Sequence, residues 1–269
     1  MKKTASDLLL TTYVAIATLA MLFPIAIVIG TSLTPRAFLE FPPSGLDFKW
    51  YVSVLSSSTW TGSLLLSFQI AALSTCTSLL LGVPAALALR KISSRWSVTL
   101  QTFFLSPLMI PNILIGLALL RTFEQLGIRP SIVTLAIGHT IISMPYIVRY
   151  VLASLAGVDP ALERAARIHG ATALRAFRTV TLPLINHGVI AGALFAAIVS
   201  LDDVNVTLFL SRVQLQPFSF RLLGYVQQSA NPLGAAAASL LVLIALALLF
   251  ACDRIVGINW LFGIKSETR

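Results

Sequence analysis

Residues 232–252 read PLGAAAASLLVLIALALLFAC and contain no charged side chain. A helix of about 20 apolar residues is long enough to cross the hydrocarbon layer of a membrane, which is roughly 30 Å thick. The run belongs to one of six long intervals that lack Asp, Glu, Lys and Arg. The six intervals are residues 8–35, 50–89, 96–120, 130–148, 179–201 and 222–252. The sequence therefore predicts an all-α polytopic membrane protein with six transmembrane helices, because an unclosed chain crosses lipid as helices.

The composition supports this prediction, since 57% of the 269 residues are hydrophobic and 11% are charged, which excludes an ordinary soluble domain. The fourth and fifth intervals are the weakest, because one contains Pro145 and the other runs into Asp202 and Asp203. The first interval is too long for the core of a signal peptide, so we expect it to be retained as the first span.

The Lys and Arg residues predict the orientation, because these cations stay preferentially in the cytoplasm near span ends. They place both termini in the cytoplasm. The cytoplasmic cations are then Lys2, Lys3, Arg90, Lys91, Arg95, Arg149, Arg164, Arg167, Arg175, Arg178, Arg254, Lys265 and Arg269. The outer ones are Arg36, Lys49, Arg121, Arg129, Arg212 and Arg221. This topology explains the net charge of +9 without nucleic acid binding.

The largest predicted cytoplasmic segment, residues 151–186, reads as two short helices. Asp159 followed by Pro160 is typical of a helix start, and Gly170 is typical of a helix end. One face of the first helix carries small or apolar side chains, namely Leu162, Ala165, Ala166 and His169. Such a face fits a groove in a partner protein or rests on the membrane surface, and the pattern alone leaves both interpretations open.

The spacing of this loop carries a family resemblance. Arg164-Ala165-Ala166 is followed after three residues by Gly170 and after nine more by Val180-Thr181-Leu182-Pro183. This resembles the membrane subunits of binding-protein-dependent ABC importers, whose loop reads EAA, three residues, Gly, nine residues, Ile, one residue, Leu-Pro. Arg164 stands at the Glu position of that motif, and an acid, Glu163, stands one place earlier.

The resemblance implies the type I ABC importer transmembrane fold, with a single permease domain over residues 1–269 and a cytoplasmic coupling loop at 151–186. It also implies that the protein lies in the inner membrane of a bacterium and that the loop contacts an ATPase. The expected coupling residues are Glu163, Arg164, Ala165, Ala166, His169, Gly170, Leu182 and Pro183. Partners implied are a second permease subunit, two ATPase subunits that bind ATP and Mg, and a periplasmic substrate-binding protein. The chain itself has no GxxxxGK[ST] phosphate loop, so we expect a transport subunit without a cofactor of its own, not an enzyme.

Further motifs resemble the polyamine-type branch, in particular the second permease of spermidine/putrescine importers. They are Trp50-Tyr51, the Gly82 to Ala86 step, Pro107 to Pro111, and Ser200 to Val204. The resemblance implies a small cationic or zwitterionic solute such as a polyamine. Relatives in this branch carry iron(III), thiamine, opines, phosphonates and amino-acid-like compounds, so these stay as alternatives.

Asp202 and Asp203 are candidates for the substrate path, together with Asn205 and Asn112. The two carboxylates are expected about fifteen residues beyond the cytoplasmic start of the fifth span, where a charge normally faces protein or water. Alternatively, either Asp caps a broken helix or pairs with an arginine. A rival interpretation is a self-sufficient secondary transporter that is gated by protonation of these acids, although no internal repeat supports it.

The three histidines, His139, His169 and His187, share no spacing that predicts a metal site. Cys76 and Cys252 lie in apolar runs and predict neither a disulfide nor zinc.

Overall fold

The computed structural model describes residues 5–92 and 94–256. The chain forms two compact units, of which one comprises Met1–Gly62 and Arg221–Ile244, and the other Ser63–Phe220 and Ala245–Arg269. The predicted single permease domain over residues 1–269 stays a prediction.

Across the described residues the structure is helical and contains no strand, which confirms the all-α prediction. The helices are α1 (Ala5–Ser32), α2 (Lys49–Ser56), α3 (Ser58–Lys91), α4 (Ser94–Leu105), α5 (Asn112–Gln125), α6 (Ile132–Ala156), α7 (Pro160–Ile168), α8 (Ala173–Ala176), α9 (Leu182–Asp202), α10 (Asn205–Leu210), α11 (Phe218–Gln228) and α12 (Pro232–Val256). Ser106–Met109 is a 3₁₀ helix, and Phe177–Thr181 is a π-helical segment that leads into α9.

Five helical runs in the described part of the chain are long and apolar enough to cross a membrane. They are Asp7–Ser32, Ser58–Lys91, Ile132–Ala156, Ala173–Asp202 and Pro232–Arg254. A sixth span is reached if Trp96–Met109 and Asn112–Gln125 together count as one.

The third predicted span is wrong as one continuous helix, because its two halves are bent by 98°. The bend falls at Pro111, whose ring disfavours a helical conformation for the residue before it. Ile110 is accordingly extended, with φ −95° and ψ 129°. Proline also lacks the N–H that would continue the ladder of backbone hydrogen bonds.

The fourth span is longer than predicted, since α6 runs from Ile132 through Pro145 to Ala156. It begins with a capping box between Ser131 and Thr134, which satisfies amide groups that the first turn leaves unpaired.

The core of the second unit lies where α6 packs along α9. A Cβ atom at Gly188 would lie 2.6 Å from the Tyr150 carbonyl oxygen, so only glycine permits this approach. Ile147, Val151 and Ile185 are fully buried in the resulting apolar cluster.

In the first unit, the segment after α1 is organised around the carboxylate of Glu40. It accepts hydrogen bonds from the side chains of Ser44 and Thr34 and pairs with Arg36 at 3.4 Å. These hydrogen bonds, first that of Ser44, lower the pKa of Glu40 from 4.5 to about 2. The loop therefore keeps an ionised centre at neutral pH.

Candidate functional site

Helix α7 lies on the surface of its unit and carries four of the predicted coupling residues, Glu163, Arg164, Ala165 and Ala166. As predicted, it begins after Asp159, whose carboxylate accepts a hydrogen bond from the Ala161 amide at 2.8 Å. It ends at Ile168, and Gly170 follows in the left-handed conformation, with φ +89°. None of its residues is buried, and the side chain of Ile168 is 84% exposed. The helix thus offers a free surface to a partner.

The two charged residues at the start of the motif point in different directions. Glu163 is turned towards the protein, where Oε2 accepts a hydrogen bond from Thr181 Oγ1 at 3.1 Å and Oε1 lies 3.7 Å from Lys91 Nζ. Arg164, which occupies the Glu position of the family motif, is exposed. The acid one place earlier therefore serves as an internal contact, and the exposed face carries positive charge.

Polar contacts attach α7 to the spans around it. The guanidinium of Arg90, near the end of α3, donates to the carbonyl oxygen of Val158 just before α7. A cavity of about 270 Å³ lies beside Arg90 and Glu163, and another of about 380 Å³ lies beside Arg90 and Leu155. Because α7 has no buried residue, a shift of this helix would cost little buried surface.

The second short helix predicted in the loop is not separate, and this part of the prediction is wrong. The loop ends at Thr172, whose hydroxyl caps α8, and the chain is then helical from Ala173 to Asp202. Leu182 and Pro183 lie where the π-helical segment becomes α9. Pro183 has no N–H to donate to the preceding turn, which explains why the hydrogen-bonding register changes at this point.

The predicted substrate-path residues lie around a break between α9 and α10. Asp202 is exposed and is the last residue of α9, whereas the side chain of Asp203 is 1% exposed. Asn112 donates from Nδ2 to Asp203 Oδ1 at 3.3 Å, so the structure brings these two residues together. Asn205 opens α10 and is exposed.

The carboxylate of Asp203 caps α10, since Oδ2 accepts hydrogen bonds from the amides of Val206 at 2.9 Å and Thr207 at 3.2 Å. This is the capping alternative that the sequence left open. Among the side chains that the structure describes, no lysine or arginine forms an ion pair with Asp202. An exposed carboxylate thus stands at the end of α9, where the helix dipole is also negative.

The break lies far from the coupling loop along the helical run that carries it. Asp202 ends a helical run of 30 residues, so it lies at the far end of that run from the coupling loop. Asp203 is beside His139, seven residues after the start of α6 at Ile132. At 1.5 Å per residue, the break is about 10 Å along α6 from its first turn.

Glycines allow α10 to wedge between α5 and α6. A Cβ atom at Gly116 would lie 3.0 Å from the Asn205 carbonyl oxygen, and one at Gly138 would lie 2.7 Å from Val206 Cγ1. Sequence reasoning missed this wedge, and it missed His139, which is buried at the break. The available signal was a polar histidine within an otherwise apolar interval. Within the described ranges no three His, Cys, Asp or Glu side chains gather as a metal site would require.

A helical protein with several apolar spans, a surface helix with the coupling-loop spacing and a polar break in one span has the features of a membrane transport subunit. The chain belongs to the family described as the binding-protein-dependent transport system inner membrane component, which matches residues 78–259. It is a permease subunit of the ABC importer class and a multi-pass protein of the inner membrane.

Three curated relatives illustrate the range of this family. The chain is 26% identical to the spermidine/putrescine transport system permease protein PotC of Haemophilus influenzae, over 80% of this chain and 84% of that protein. It is 31% identical to the molybdenum transport system permease protein ModB of Mycobacterium bovis, over 83% and 88%. It is 28% identical to the putrescine transport system permease protein PotI of Escherichia coli, over 70% of each.

Solved structures show the same fold. A chain of the bacterial alginate ABC transporter, solved in complex with an alginate-bound periplasmic protein, matches with a TM-score of 0.68 at 16% identity, over 93% of this chain and 95% of that chain. A chain of the inward-facing MetNI methionine ABC transporter matches with a TM-score of 0.59 at 22% identity, over 74% and 97%. The type I importer fold predicted from the coupling loop is thereby confirmed.

Proposed function

We propose that this chain forms half of the translocation path of an ATP-driven importer and that a second permease subunit forms the other half. Two ATPase subunits hold ATP and Mg below the pair, and a periplasmic binding protein delivers the solute. The observation that carries this proposal is α7, which follows the coupling-loop spacing and has no buried residue. A helix with an exposed face of this kind gains its packing from a partner.

The proposed orientation has both termini and α7 in the cytoplasm. It follows from the Lys and Arg distribution and from the need of α7 to reach a cytoplasmic ATPase. The coupling residues divide into two groups in this proposal. Glu163, Leu182 and Pro183 connect α7 and its loop to the spans, whereas the exposed residues face the ATPase. The exposed residues are Arg164, Ala165, His169 and Gly170, next to the half-buried Ala166.

The proposed solute is a small cation or zwitterion such as a polyamine. Asp202 supports this, because an exposed carboxylate in a membrane protein faces protein or water in preference to lipid, and it attracts positive charge. The negative end of α9 adds to the same field. The two polyamine permeases among the relatives agree with this charge. The similarity to ModB makes a molybdenum compound the second candidate.

The test is uptake by the complete complex, purified through this chain and reconstituted in proteoliposomes. With ATP on the ATPase side and the binding protein on the other, we expect saturable uptake of labelled putrescine. Uptake of molybdate in place of putrescine would contradict the cationic path. Uptake that needs a proton gradient and no ATP would identify a secondary transporter instead.

A further inference from the structure

His139 joins the two sides of the break at which α9 ends and α10 begins. Its side chain is 1% exposed, inside the apolar helix α6. Nδ1 lies 2.8 Å from the hydroxyl of Ser200, in the last turn of α9, and Nε2 lies 3.0 Å from the hydroxyl of Thr207, in α10. One imidazole ring therefore connects Ser200, three residues before Asp203, with Thr207, four residues after it.

One arrangement of protons satisfies the hydrogen bonds around the ring. A hydroxyl has a single proton to donate. Thr207 uses its proton on the carbonyl oxygen of Asp203, at 3.2 Å, so it accepts from Nε2–H of His139. Ser74 Oγ lies 3.0 Å from Ser200 Oγ and 3.2 Å from the Ala71 carbonyl oxygen, and when Ser74 donates to Ser200, Ser200 donates its own proton to Nδ1. These bonds are complete for a neutral His139 that is protonated at Nε2.

The bridge fixes how α9 meets α10. Ser200 and Thr207 are both buried, so loss of the ring would remove one hydrogen bond from each of two hydroxyls that water does not reach. Asp202 lies between these two residues and has an exposed side chain. The direction of its carboxylate is set by the end of α9 and by the angle at which the chain leaves it.

We propose that His139 is a positioning residue for the substrate path, because it holds the α9–α10 break in the geometry that presents Asp202 to the solute. The proposal rests on the proposed function, in which the exposed carboxylate attracts a cation. His139 is itself buried and hydrogen-bonded to Ser200 and Thr207, so in this proposal it acts through them and not by contact with the solute.

The test compares His139→Gln with His139→Leu in the reconstituted complex, with putrescine as the probe. Glutamine can donate to Thr207 and accept from Ser200, as the neutral imidazole does, whereas leucine fills the space and can do neither. We expect His139→Leu to raise the putrescine concentration for half-maximal uptake about tenfold with little change in the maximal rate. His139→Gln is expected to stay within about twofold of the wild type. His187→Gln, on α9 outside this network, is the matched control.

Amide hydrogen exchange gives a second readout that needs no substrate. His139→Leu and Thr207→Val should speed the exchange of the peptide that covers residues 203–210, and His139→Gln should not.

If the wild type takes up no putrescine, the proposed solute is wrong, and exchange alone decides whether His139 holds the break. Equal behaviour of His139→Gln and His139→Leu, in uptake or in exchange, would overturn the proposal. If His139→Leu does not assemble, Thr207→Val takes its place in both measurements, and wild-type behaviour of that variant would overturn it equally.

Discussion

Helices α7 and α10 are both short, and they are attached to the rest of the protein in opposite ways. Helix α7 has nine residues, none of them buried, and depends on polar contacts such as that between Glu163 and Thr181. Helix α10 has six residues, three of which are buried, and it is wedged between α5 and α6. Asp203 caps it, and His139 bonds to it.

The contrast distinguishes α7, whose exposed surface is available to a partner, from α10, whose packing is formed within the chain itself. A helix without buried side chains can change its position when a partner moves, because little apolar surface is lost. Helix α10 packs closely against its neighbours because glycines leave room for it, and buried polar groups form hydrogen bonds with it. Such a helix has only one position of low energy. We therefore expect mutations at α10 to affect stability and mutations at α7 to affect coupling.

The largest effect on stability is expected from Gly116→Ala. The new Cβ atom would meet Phe209, the Asn205 carbonyl oxygen and Val206 at about 3 Å, so α10 would have to move. Overpacking of this kind costs about 1–3 kcal/mol. A lower midpoint of thermal unfolding of the purified complex would show it. Gly62→Ala is the control, since a Cβ atom there meets nothing within 4 Å. Equal unfolding midpoints for Gly116→Ala and Gly62→Ala would contradict the close packing of α10 between α5 and α6.

Substitution of the two neighbouring acids should show that Asp203 contributes to stability and that Asp202 does not. Asp203→Ala removes the acceptor for the amides of Val206 and Thr207, and loss of a helix cap costs about 1–2 kcal/mol. Asp202→Ala should leave the unfolding midpoint unchanged, because its side chain is exposed, and should weaken putrescine uptake. Asp203→Asn should retain much of the stability, since Asn is also a good cap. If Asp202→Ala were the less stable variant, this assignment would be wrong.

At α7, Gly170→Leu is expected to uncouple ATP hydrolysis from uptake. A Cβ atom at Gly170 meets nothing within 4 Å, so this chain alone has room for the side chain. The cost within the chain is the left-handed backbone, about 1 kcal/mol, and the larger consequence is obstruction of the partner. Uptake per ATP hydrolysed is the measurement. Gly157→Leu, in the same loop with φ −87°, is the control. Normal coupling in Gly170→Leu would argue against docking at this point.

The smallest effect is expected for the ion pair of Lys91 with Glu163. The side chain of Lys91 is 70% exposed and that of Glu163 is 25% exposed, so water screens their attraction. A double-mutant cycle with Lys91→Gln and Glu163→Gln should give a coupling energy below about 1 kcal/mol. A clearly larger value would show that α7 is fixed more firmly than its lack of buried residues implies.

The sequence predicted the membrane fold and α7 well, because both depend on local patterns. The length of the uncharged intervals reflects the thickness of the bilayer. Asp159, Pro160 and Gly170 are local signals for the start and end of a helix. The 98° bend at Pro111 was missed, since the absence of charge says nothing about the path of the backbone. The continuity of α8 with α9 was missed for a related reason: proline early in a span can be accommodated by a π-helical segment.

The hydrogen-bond network at the break could not be predicted, because its residues are far apart in the chain. Ser200 and Thr207 lie 61 and 68 residues after His139, and nothing in their spacing links them. The same is true of Asn112, which is 91 residues before Asp203. Only the packing of α6 against α9 and α10, together with that of α5 against α10, brings these groups together.

Photo-crosslinking from α7 in intact membranes tests the central claim most directly. A photoreactive amino acid at position 168, where Ile168 is 84% exposed, should yield an adduct with the ATPase subunit. The same amino acid at position 19, where Leu19 is 68% exposed within the apolar helix α1, should yield no such adduct. An adduct with lipid alone at position 168 would place α7 on the membrane surface and would contradict its role as the coupling helix.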